Sequence, residues 1–364
     1  MKNICAFTLL LLGSPAVLAA EKLEIYVLNV DLGNAVLVVT PSRQCMLLDA
    51  GPPGEEYTKL ILAAMQDAGA RQIDYSVVSH YHWDHYGTLP ELSEKVPIRN
   101  YVDHGPNVEL NRSPEWYLTH GGSKNNPLYD QYVKTREKGN HIVAQPGDRL
   151  PLEGTEVQVL TSAAQVISAP VKGGGGFNQA CWLTKTMADN EQEDSQSIGV
   201  LVEFGKFRFI DLGDLPWNVS YRLFCPENKV GPVDLYLITH HALTVDKETV
   251  GEAHQSASAC PPCEVYGLRP RVAILSCRED YVFRLGTPEG WQTVRHSPGL
   301  EDIWQTHYQA QGGPENNAPE QFIACPNTAT SKGGDWIKVS AAADGSFVVT
   351  NKRNGFTKQY PAPK

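Results

Sequence analysis

Hydrophobic and polar residues alternate along much of the chain with the period of two that is typical of β-strands. Residues 22–30 (KLEIYVLNV) alternate in this way, and apolar runs follow at 35–40 (AVLVVT) and 45–51 (CMLLDAG) after short turn segments. Together these three segments predict a sheet of hairpin-connected strands. Residues 56–70 (EYTKLILAAMQDAGA) change to helical spacing and carry a glycine near the end, which predicts a helix.

Further apolar runs of strand length continue to the end of the chain. They lie at 73–79, 155–162, 197–205, 207–214, 234–241 and 271–277, and a final pair within 337–351 turns at Asp344-Gly345. A short helix is expected in "GTLPELSEKV" after the first of these runs. Strands dominate with helices interspersed, and no segment has the composition of a linker between domains. We therefore expect one α/β domain over residues 21–364.

Residues 105–145 interrupt the pattern and predict an insertion with some helix. Trp116 and Tyr117 lie here among Gly, Asn and Pro, together with further tyrosines and His120. Long ordered loops often form functional walls or lids, so Trp116 and Tyr117 are candidates for a substrate wall. An aromatic mini-core packed on the domain is the alternative.

The first twenty residues have the pattern of a secretory signal peptide. Lys2 precedes a short apolar run, and "SPAVLAA" ends in small residues. No later stretch is apolar for long enough to span a membrane, so we expect a secreted or periplasmic protein. The formal net charge of −10 disfavours stable nucleic-acid binding through broad charge attraction.

Seven of the eight cysteines would remain after removal of residues 1–20. An oxidising compartment favours disulfides, and the odd number leaves at least one thiol free or paired between chains. "CPPC", from Cys260 to Cys263, has redox-motif spacing but lacks the surrounding strand-to-helix pattern of thioredoxin. We expect a structural disulfide between these two cysteines.

The stretch "SHYHWDHYG" (79–87) concentrates the candidate chemistry of the chain. It places His80, His82, Asp84 and His85 within six positions, directly after an apolar strand. Imidazole and carboxylate are ligands for zinc and related metals. Structural zinc sites are usually closed and rich in cysteine, so this cluster predicts an open, catalytic metal site. A chance run of surface histidines is the alternative.

This stretch resembles the His-x-His-x-Asp-His motif of the metallo-β-lactamase fold superfamily. "LLDAG" upstream, "FIDLGD" and "LITHH" resemble further motifs of that superfamily. "PGDRLPLEGTEVQVL" and "LRPRVAILSC" resemble the branch related to the hydrolase domain of the bacterial DNA-uptake channel (competence) protein. The resemblance implies an αββα sandwich in which helices flank two mixed β-sheets.

The resemblance also implies a role for each matching residue. His80 and His82 would bind a first metal, and Asp214 would bridge to a second metal. Asp84 and His85 would bind that second metal with His240, which His241 could replace because both stand at one strand end. The implied cofactors are two divalent ions, zinc first, with Mn²⁺ or Fe as alternatives.

This chain departs from the superfamily pattern at two points. A third histidine on the first metal is often found between the motif and Gly-Asp, but here Gly105 to Leu212 offers only His120 and His141, both in the insertion. The competence branch has a polar stretch there, as "EDSQSIGV" does, and His104 at a strand end is another candidate ligand. Where that branch has His-His-Gly-Ser this chain has "HHAL", which weakens the transfer of nuclease activity.

Two such metals would share a hydroxide that attacks carbonyl carbon or phosphorus, with Asp84 orienting it. Our first hypothesis is a secreted metal-dependent hydrolase of phosphodiesters, acting on small or nucleotide-like substrates. The second is a hydrolase of lactones, esters or β-lactams, and the third is a non-catalytic metal-binding scaffold. The sequence leaves the substrate and the oligomeric state open.

Overall fold

The computed structural model describes residues 21–116, 126–187, 189, 191–245, 257–278, 288–326 and 335–363. The expected signal peptide over residues 1–20 and the candidate wall residue Tyr117 lie outside these residues. Seven α-helices lie wholly within these residues, and we number them in chain order: α1 Glu55–Ala68, α2 Trp83–Tyr86, α3 Leu89–Leu92, α4 Pro127–Arg136, α5 Trp217–Phe224, α6 Pro262–Leu268 and α7 Glu289–Arg295.

The described strands fall along the whole chain. In order they are β1 Leu23–Leu28, β2 Val36–Val39, β3 Cys45–Leu48, β4 Ile73–Val77, β5 Ile98–Asp103, β6 Asn140–Val143, β7 Arg149–Leu150, β8 Glu156–Ser162, β9 Gln165–Val166, β10 Gly176–Phe177, β11 Gly199–Phe204, β12 Phe207–Asp211, β13 Glu227–Asn228, β14 Leu235–Leu237, β15 Val272–Leu275, β16 Asp302–His307, β17 Ile323–Cys325, β18 Trp336–Ala341, β19 Phe347–Asn351 and β20 Thr357–Tyr360.

Two large mixed sheets form the centre of the described structure. The first has the order β20-β19-β18-β1-β2-β3-β4-β5-β6, antiparallel as far as β3 and parallel from β3 to β6. The second has the order β17-β16-β15-β14-β12-β11-β8-β7, parallel from β17 to β12 and antiparallel beyond. In both sheets, parallel strands lie beside an antiparallel meander.

The apolar residues of both sheets meet in a shared core. Val27 and Val77 from the first sheet are buried in one cluster with Val159, Phe209 and Ile274 from the second. The other face of the first sheet packs against α1, and the other face of the second sheet packs against α5 and α6. Neighbouring side chains of a strand point to opposite faces. One set therefore packs in the shared core between the sheets, and the other packs against the helices. This is the predicted αββα sandwich.

Most of the strands and helices predicted from the sequence are confirmed. The first three strands form the expected antiparallel sheet, α1 and α3 lie where helical spacing predicted them, and the final hairpin turns at Asp344-Gly345. Several strands are shorter than predicted, including β3 and β12, which end at Leu48 and Asp211. β14 ends at Leu237, and a 3₁₀ turn over Thr239–Ala242 carries the two histidines.

The insertion contributes both to the core and to the first sheet. Its strand β6 pairs in parallel with β5, and its helix α4 buries Tyr129 and Tyr132. The Tyr129 ring lies 4.7 Å from that of Tyr81, and the Tyr132 ring lies 5.5 Å from that of Tyr86. This part of the insertion therefore packs as an aromatic cluster against the histidine-rich stretch.

The disulfide prediction for "CPPC" is wrong. Cys260 and Cys263 are both free and buried, whereas Cys181 and Cys225 form a disulfide. The Cys260 thiol faces the carbonyl oxygen of Thr239 at 3.3 Å, and Cys263 lies in the first turn of α6. The Cys260 thiol also lies 3.4 Å from the Tyr236 hydroxyl, so it contacts the Thr239 turn and the strand before it instead of pairing with Cys263. No helix in the described part of the chain is both long and apolar enough to cross a membrane.

Candidate metal centre

The candidate residues gather where strands of both sheets end. His80 follows β4 of the first sheet, while Asp214 follows β12 and His240 follows β14 of the second sheet. The amide of Ile198 donates to the carbonyl oxygen of Ser79 at 2.9 Å and joins the two sheets at this edge. Loops at the carboxyl ends of parallel strands commonly form such sites.

A first group consists of His80, His82 and Asp194. The Nε2 atom of His80 and the Nδ1 atom of His82 are 3.0 Å apart, and Asp194 Oδ1 lies 3.0 Å from the same Nδ1. One donor atom from each of these residues lies within 4.8 Å of the other two, so a single cation could contact all three. His80 and Asp194 are buried.

A second group consists of Asp84, His85 and His241, which also bring their donor atoms within 4.8 Å of one another. Asp214 lies between the two groups. Its Oδ2 atom is 3.2 Å from His85 Nε2 in the second group and 3.9 Å from His80 Nε2 in the first group. Asp214 therefore borders both groups, and its role as a bridging ligand stays a prediction.

The two adjacent histidines point to different groups. His241 lies with Asp84 and His85, whereas His240 lies with Asp194 and Asp214, its Nε2 atom 3.4 Å from Asp214 Oδ2. The sequence reasoning placed His240 beside Asp84 and His85 and named His241 as its replacement. The structure brings His241 to that place and gives His240 a position of its own.

The backbone at this turn is unusual. His240, His241 and Ala242 have φ angles of 45°, 54° and 63°. A residue with a Cβ in this left-handed region costs about 1–2 kcal/mol, so the surrounding contacts must stabilise the turn. Consecutive left-handed residues allow both imidazoles to face the site, which an extended strand would not, since its side chains alternate between faces.

The cluster contains five histidines. Four of them contact a protein oxygen through the ring nitrogen that points away from the cluster. His85 Nδ1 lies 2.7 Å from Asp49 Oδ2, and His82 Nε2 lies 3.3 Å from Glu109 Oε1. His240 Nδ1 contacts the carbonyl oxygen of Ala257 at 2.8 Å, and His241 Nδ1 that of Ser276 at 2.5 Å. Such outer contacts fix the ring and its tautomer, as they do for metal-bound histidine.

The fifth histidine is held through a serine. His80 Nδ1 lies 3.0 Å from Ser79 Oγ, and that hydroxyl donates to Asp49 Oδ2 at 2.7 Å. Asp49 also accepts the Ser79 amide through Oδ1 at 2.7 Å, so one buried carboxylate orients rings of both groups.

Burial and neighbouring charges set the protonation of the cluster. Burial, with His85 and His82 close by, holds the pKa of His80 well below its ordinary value. Burial opposes charge on Asp214 as well, but the adjacent His240, His85 and His241 hold the pKa of this carboxyl well below its usual range. Against the effect of burial, the Asp194 carboxylate raises the pKa of His82. Protons bound to that imidazole would have to leave before a cation could take their place.

The donor set fits a divalent metal. His85 Nε2 is fully buried and forms no hydrogen bond with any described residue, although it faces a carboxylate oxygen. Burying a polar atom without a partner is costly, and a cation between His85 and Asp214 would satisfy both side chains. Nitrogen and oxygen donors without sulfur suit zinc, iron and manganese alike.

Asp194 is the member of the cluster that sequence reasoning missed. It lies in a 3₁₀ turn over Glu193–Gln196, inside the polar stretch "EDSQSIGV" that the sequence had already singled out. His104 lies elsewhere. Its Nε2 atom is 2.9 Å from Glu193 Oε2, and it joins none of the metal-capable groups of the described residues.

Glu193 itself is fully buried and holds the loops around the site. It accepts the amides of Tyr81 at 3.0 Å and Val108 at 2.6 Å in addition to its contact with His104. His104 and Glu193 thus connect the insertion to the motif.

Among the aromatic candidates, Trp116 is half-buried, with the guanidinium of Arg112 5.2 Å from its ring centre. Trp83, which the sequence reasoning did not single out, stands between His82 and Asp84 with 51% of its surface exposed. A substrate wall formed by Trp116 and Tyr117 stays a prediction.

One family model and several solved structures are similar to this chain. The family model of the metallo-beta-lactamase superfamily matches residues 28–175. No curated protein sequence matches this chain. The structure is similar to the metallo-beta-lactamase fold protein YhfI from Bacillus subtilis, at 10% identity over 78% of this chain and 96% of that one, with a TM-score of 0.42.

Two other solved structures are similar at comparable levels. Zn²⁺-bound PqqB from Methylobacterium extorquens has 14% identity, covers 76% of this chain and 86% of that one, and has a TM-score of 0.43. CmlA, a diiron β-hydroxylase from Streptomyces venezuelae, has 15% identity, covers 76% of this chain and has a TM-score of 0.39. The alignment spans 49% of CmlA.

The two mixed sheets with flanking helices are a metallo-β-lactamase fold. The fold predicted from the sequence is thus confirmed, and it carries His/Asp groups able to bind metal. The closer relationship to the competence-protein branch stays a prediction.

Proposed function

We propose that this protein is an exported metal-dependent hydrolase that cleaves phosphodiester bonds in small, nucleotide-like substrates. The single observation that carries the proposal is the shared position of Asp214. Its Oδ2 atom faces His85 Nε2 of the second group at 3.2 Å and His80 Nε2 of the first group at 3.9 Å. Two divalent ions held in these groups would lower the pKa of a bound water and stabilise negative charge on a substrate oxygen.

The side chains divide the remaining work. His80, His82 and Asp194 would hold the first ion and Asp84, His85 and His241 the second, with Asp214 between the two groups and His240 beside Asp194. Asp84 is only partly buried, unlike Asp194 and Asp214. It is therefore the carboxylate best placed to accept a proton from the attacking water and return it to the leaving group.

Charge favours an anionic substrate at this point of the molecule. Three carboxylates face the cluster, those of Asp84, Asp194 and Asp214. Two divalent cations would outweigh them by one positive charge, which acts strongly where water is excluded. The net charge of −10 over the whole chain opposes a long polyanion, so a short phosphodiester is the better substrate.

The first experiment is hydrolysis of bis-p-nitrophenyl phosphate by the mature protein, with and without a chelator. The D84A variant tests the site, and D130A, which removes an exposed aspartate of α4, is the matched control. We expect turnover by the wild type and D130A, and loss of turnover in D84A and after chelation. Metal-loaded wild type without turnover would refute the phosphodiester proposal.

Hydrolysis of lactones, esters or β-lactams is the second candidate. The exposure of Trp83 beside the ligand candidates favours it, since an apolar wall suits an uncharged substrate. Assays with p-nitrophenyl acetate and a chromogenic β-lactam distinguish the two candidates. A protein that binds metal but cleaves none of these substrates would support the third hypothesis, a non-catalytic metal-binding scaffold.

Zinc is the metal that we propose first, with manganese and iron as alternatives, because all three accept imidazole and carboxylate. Metal analysis of protein purified without added metal decides between them. The Cys181–Cys225 disulfide supports a secreted or periplasmic location, since such bonds persist in oxidising compartments. Mass spectrometry of the exported protein would then show loss of residues 1–20 and the intact disulfide.

A further inference from the structure

A buried glutamate outside the metal groups contacts the turn that carries the two histidines. Glu264 lies in α6 and is fully buried. Its Oε1 atom accepts hydrogen bonds from the Tyr236 hydroxyl at 2.5 Å and from Thr239 Oγ1 at 2.6 Å. Its Oε2 atom accepts a hydrogen bond from Ser220 in α5. Burying a carboxylate is costly, and these three hydroxyl donors offset part of that cost.

All the polar atoms of Thr239 are held within this cluster. Its amide donates to the Tyr236 hydroxyl at 3.1 Å, its hydroxyl donates to Glu264, and its carbonyl oxygen accepts from the Cys260 thiol at 3.3 Å. Thr239 directly precedes the left-handed residues His240 and His241. Contacts with Tyr236, Glu264 and Cys260 therefore fix the first residue of the strained turn.

The same carboxylate also reaches the helix that follows Asp214. Ser220 lies in α5, which starts at Trp217, three residues after Asp214. The amide of His240 donates to the carbonyl oxygen of Gly213 at 3.1 Å and ties the turn to that segment. Glu264 thus connects the two segments that must lie together for His240 and His241 to face Asp214.

We propose that Glu264 is a positioning residue of the metal centre, which holds the Thr239–Ala242 turn so that both histidines face Asp214. This role rests on the proposed metal-dependent function. Glu264 hydrogen-bonds to Ser220, Tyr236 and Thr239, none of which belongs to the candidate metal groups, and it acts through Tyr236 and Thr239. Outer contacts of this kind typically change metal affinity by about 10- to 100-fold.

Two kinds of variant test the role. E264L keeps the approximate volume but removes the acceptor from three hydroxyls. E264Q can still accept from Tyr236 and Thr239 through its carbonyl oxygen and donate to Ser220 through its amide. We expect metal affinity, measured by competition with a chromophoric chelator, to fall by about 10- to 100-fold in E264L and to be largely retained in E264Q.

A matched pair of tyrosines separates positioning from general stability. Tyr236 donates to Glu264 and accepts from the Thr239 amide, while Tyr360 donates to Asp302 at 2.6 Å and accepts from Trp304 at 3.0 Å. Both hydroxyls are buried, but Tyr360 lies on β20, at the far edge of the first sheet. We expect Y236F to weaken metal binding and Y360F to leave it unchanged, even where urea unfolding shows similar losses of stability.

Hydrogen exchange of the metal-free protein gives a second readout. We expect faster amide exchange over residues 239–243 in E264L and Y236F than in the wild type and Y360F, because the turn loses its support. Wild-type metal affinity in both E264L and Y236F would overturn the role of Glu264, whatever the exchange, and so would an equal loss in Y360F. If the wild type binds no metal, the proposed function fails, and exchange at 239–243 still shows whether Glu264 holds the turn.

Discussion

Gly33 lies so close to Asp84 that an added Cβ would be 1.8 Å from the Asp84 carbonyl oxygen. The neighbouring Asn34 amide donates to that same oxygen at 3.4 Å, and Ser276 Oγ donates to the Gly33 carbonyl oxygen at 3.3 Å. The loop after β1 thus contacts the histidine-rich motif at Asp84. It also connects the motif to Ser276, directly after β15. Only glycine satisfies both the close approach and the φ angle of 87° at this position.

The G33A variant should therefore lose metal binding as well as stability. Its Cβ must displace the backbone of Asp84, and we expect the second group to lose at least about tenfold in metal affinity, as for other residues that orient ligands. G69A is the control, because Gly69 has a φ of 71° but nothing within 4 Å of an added Cβ. It should lose only about 1 kcal/mol in the free energy of unfolding, measured in urea. Normal metal content in G33A would contradict this account of the loop.

Replacing Asp194 should weaken the first position and leave the second in place. D194N removes the charged donor that lies 3.0 Å from His82 Nδ1. We expect metal analysis to find one tightly bound ion in D194N where the wild type holds two, with D130N as the control for loss of a surface carboxylate. Two tightly bound ions in D194N would show that Asp194 is not a ligand.

The adjacent histidines should affect different ions. H241A removes a donor from the group with Asp84 and His85, whereas H240A removes one from the group with Asp194 and Asp214. Titration of each metal-free variant with Co²⁺, followed by its visible absorption, should show different absorption bands missing in the two variants. The same missing band in both would mean that they serve one ion, as the sequence alone suggested.

Asp211 should make the stability of the metal-free protein fall as pH rises. Burial, followed by the nearby Asp49 carboxylate, raises the pKa of Asp211 from 3.8 to about 7. The folded protein therefore keeps a proton that the unfolded chain releases, and this stabilisation is present below about pH 4 and lost as pH rises to about 7. At about 1.4 kcal/mol per pH unit, the loss reaches at most roughly 4 kcal/mol.

The D211N variant measures this contribution directly. The asparagine side chain is neutral at every pH. Its carbonyl oxygen can still accept the hydrogen bond that the Gly213 backbone N–H donates to Asp211 Oδ1 at 2.9 Å. We expect urea unfolding of chelator-treated protein to show D211N gaining stability relative to the wild type between pH 4.5 and pH 8. Parallel pH profiles for the two proteins would mean that Asp211 titrates as an ordinary exposed aspartate.

Features that depend on residues close together in the chain were predictable before the structure. Alternation located the first strands, helical spacing located α1, and Asp-Gly located the last turn. The motif from His80 to His85 was recognisable because four candidate ligands stand within six positions. Local geometry brings these residues together almost irrespective of the rest of the fold.

The distant residues that complete the centre became apparent only in the folded protein. Asp194, rather than His104, joins His80 and His82, because the 3₁₀ turn before β11 packs on the end of β4. The left-handed backbone separates His240 from His241, and Glu264 supports that turn from another helix. Such contacts depend on strand order and on packing between two sheets, which residue spacing along the chain does not encode.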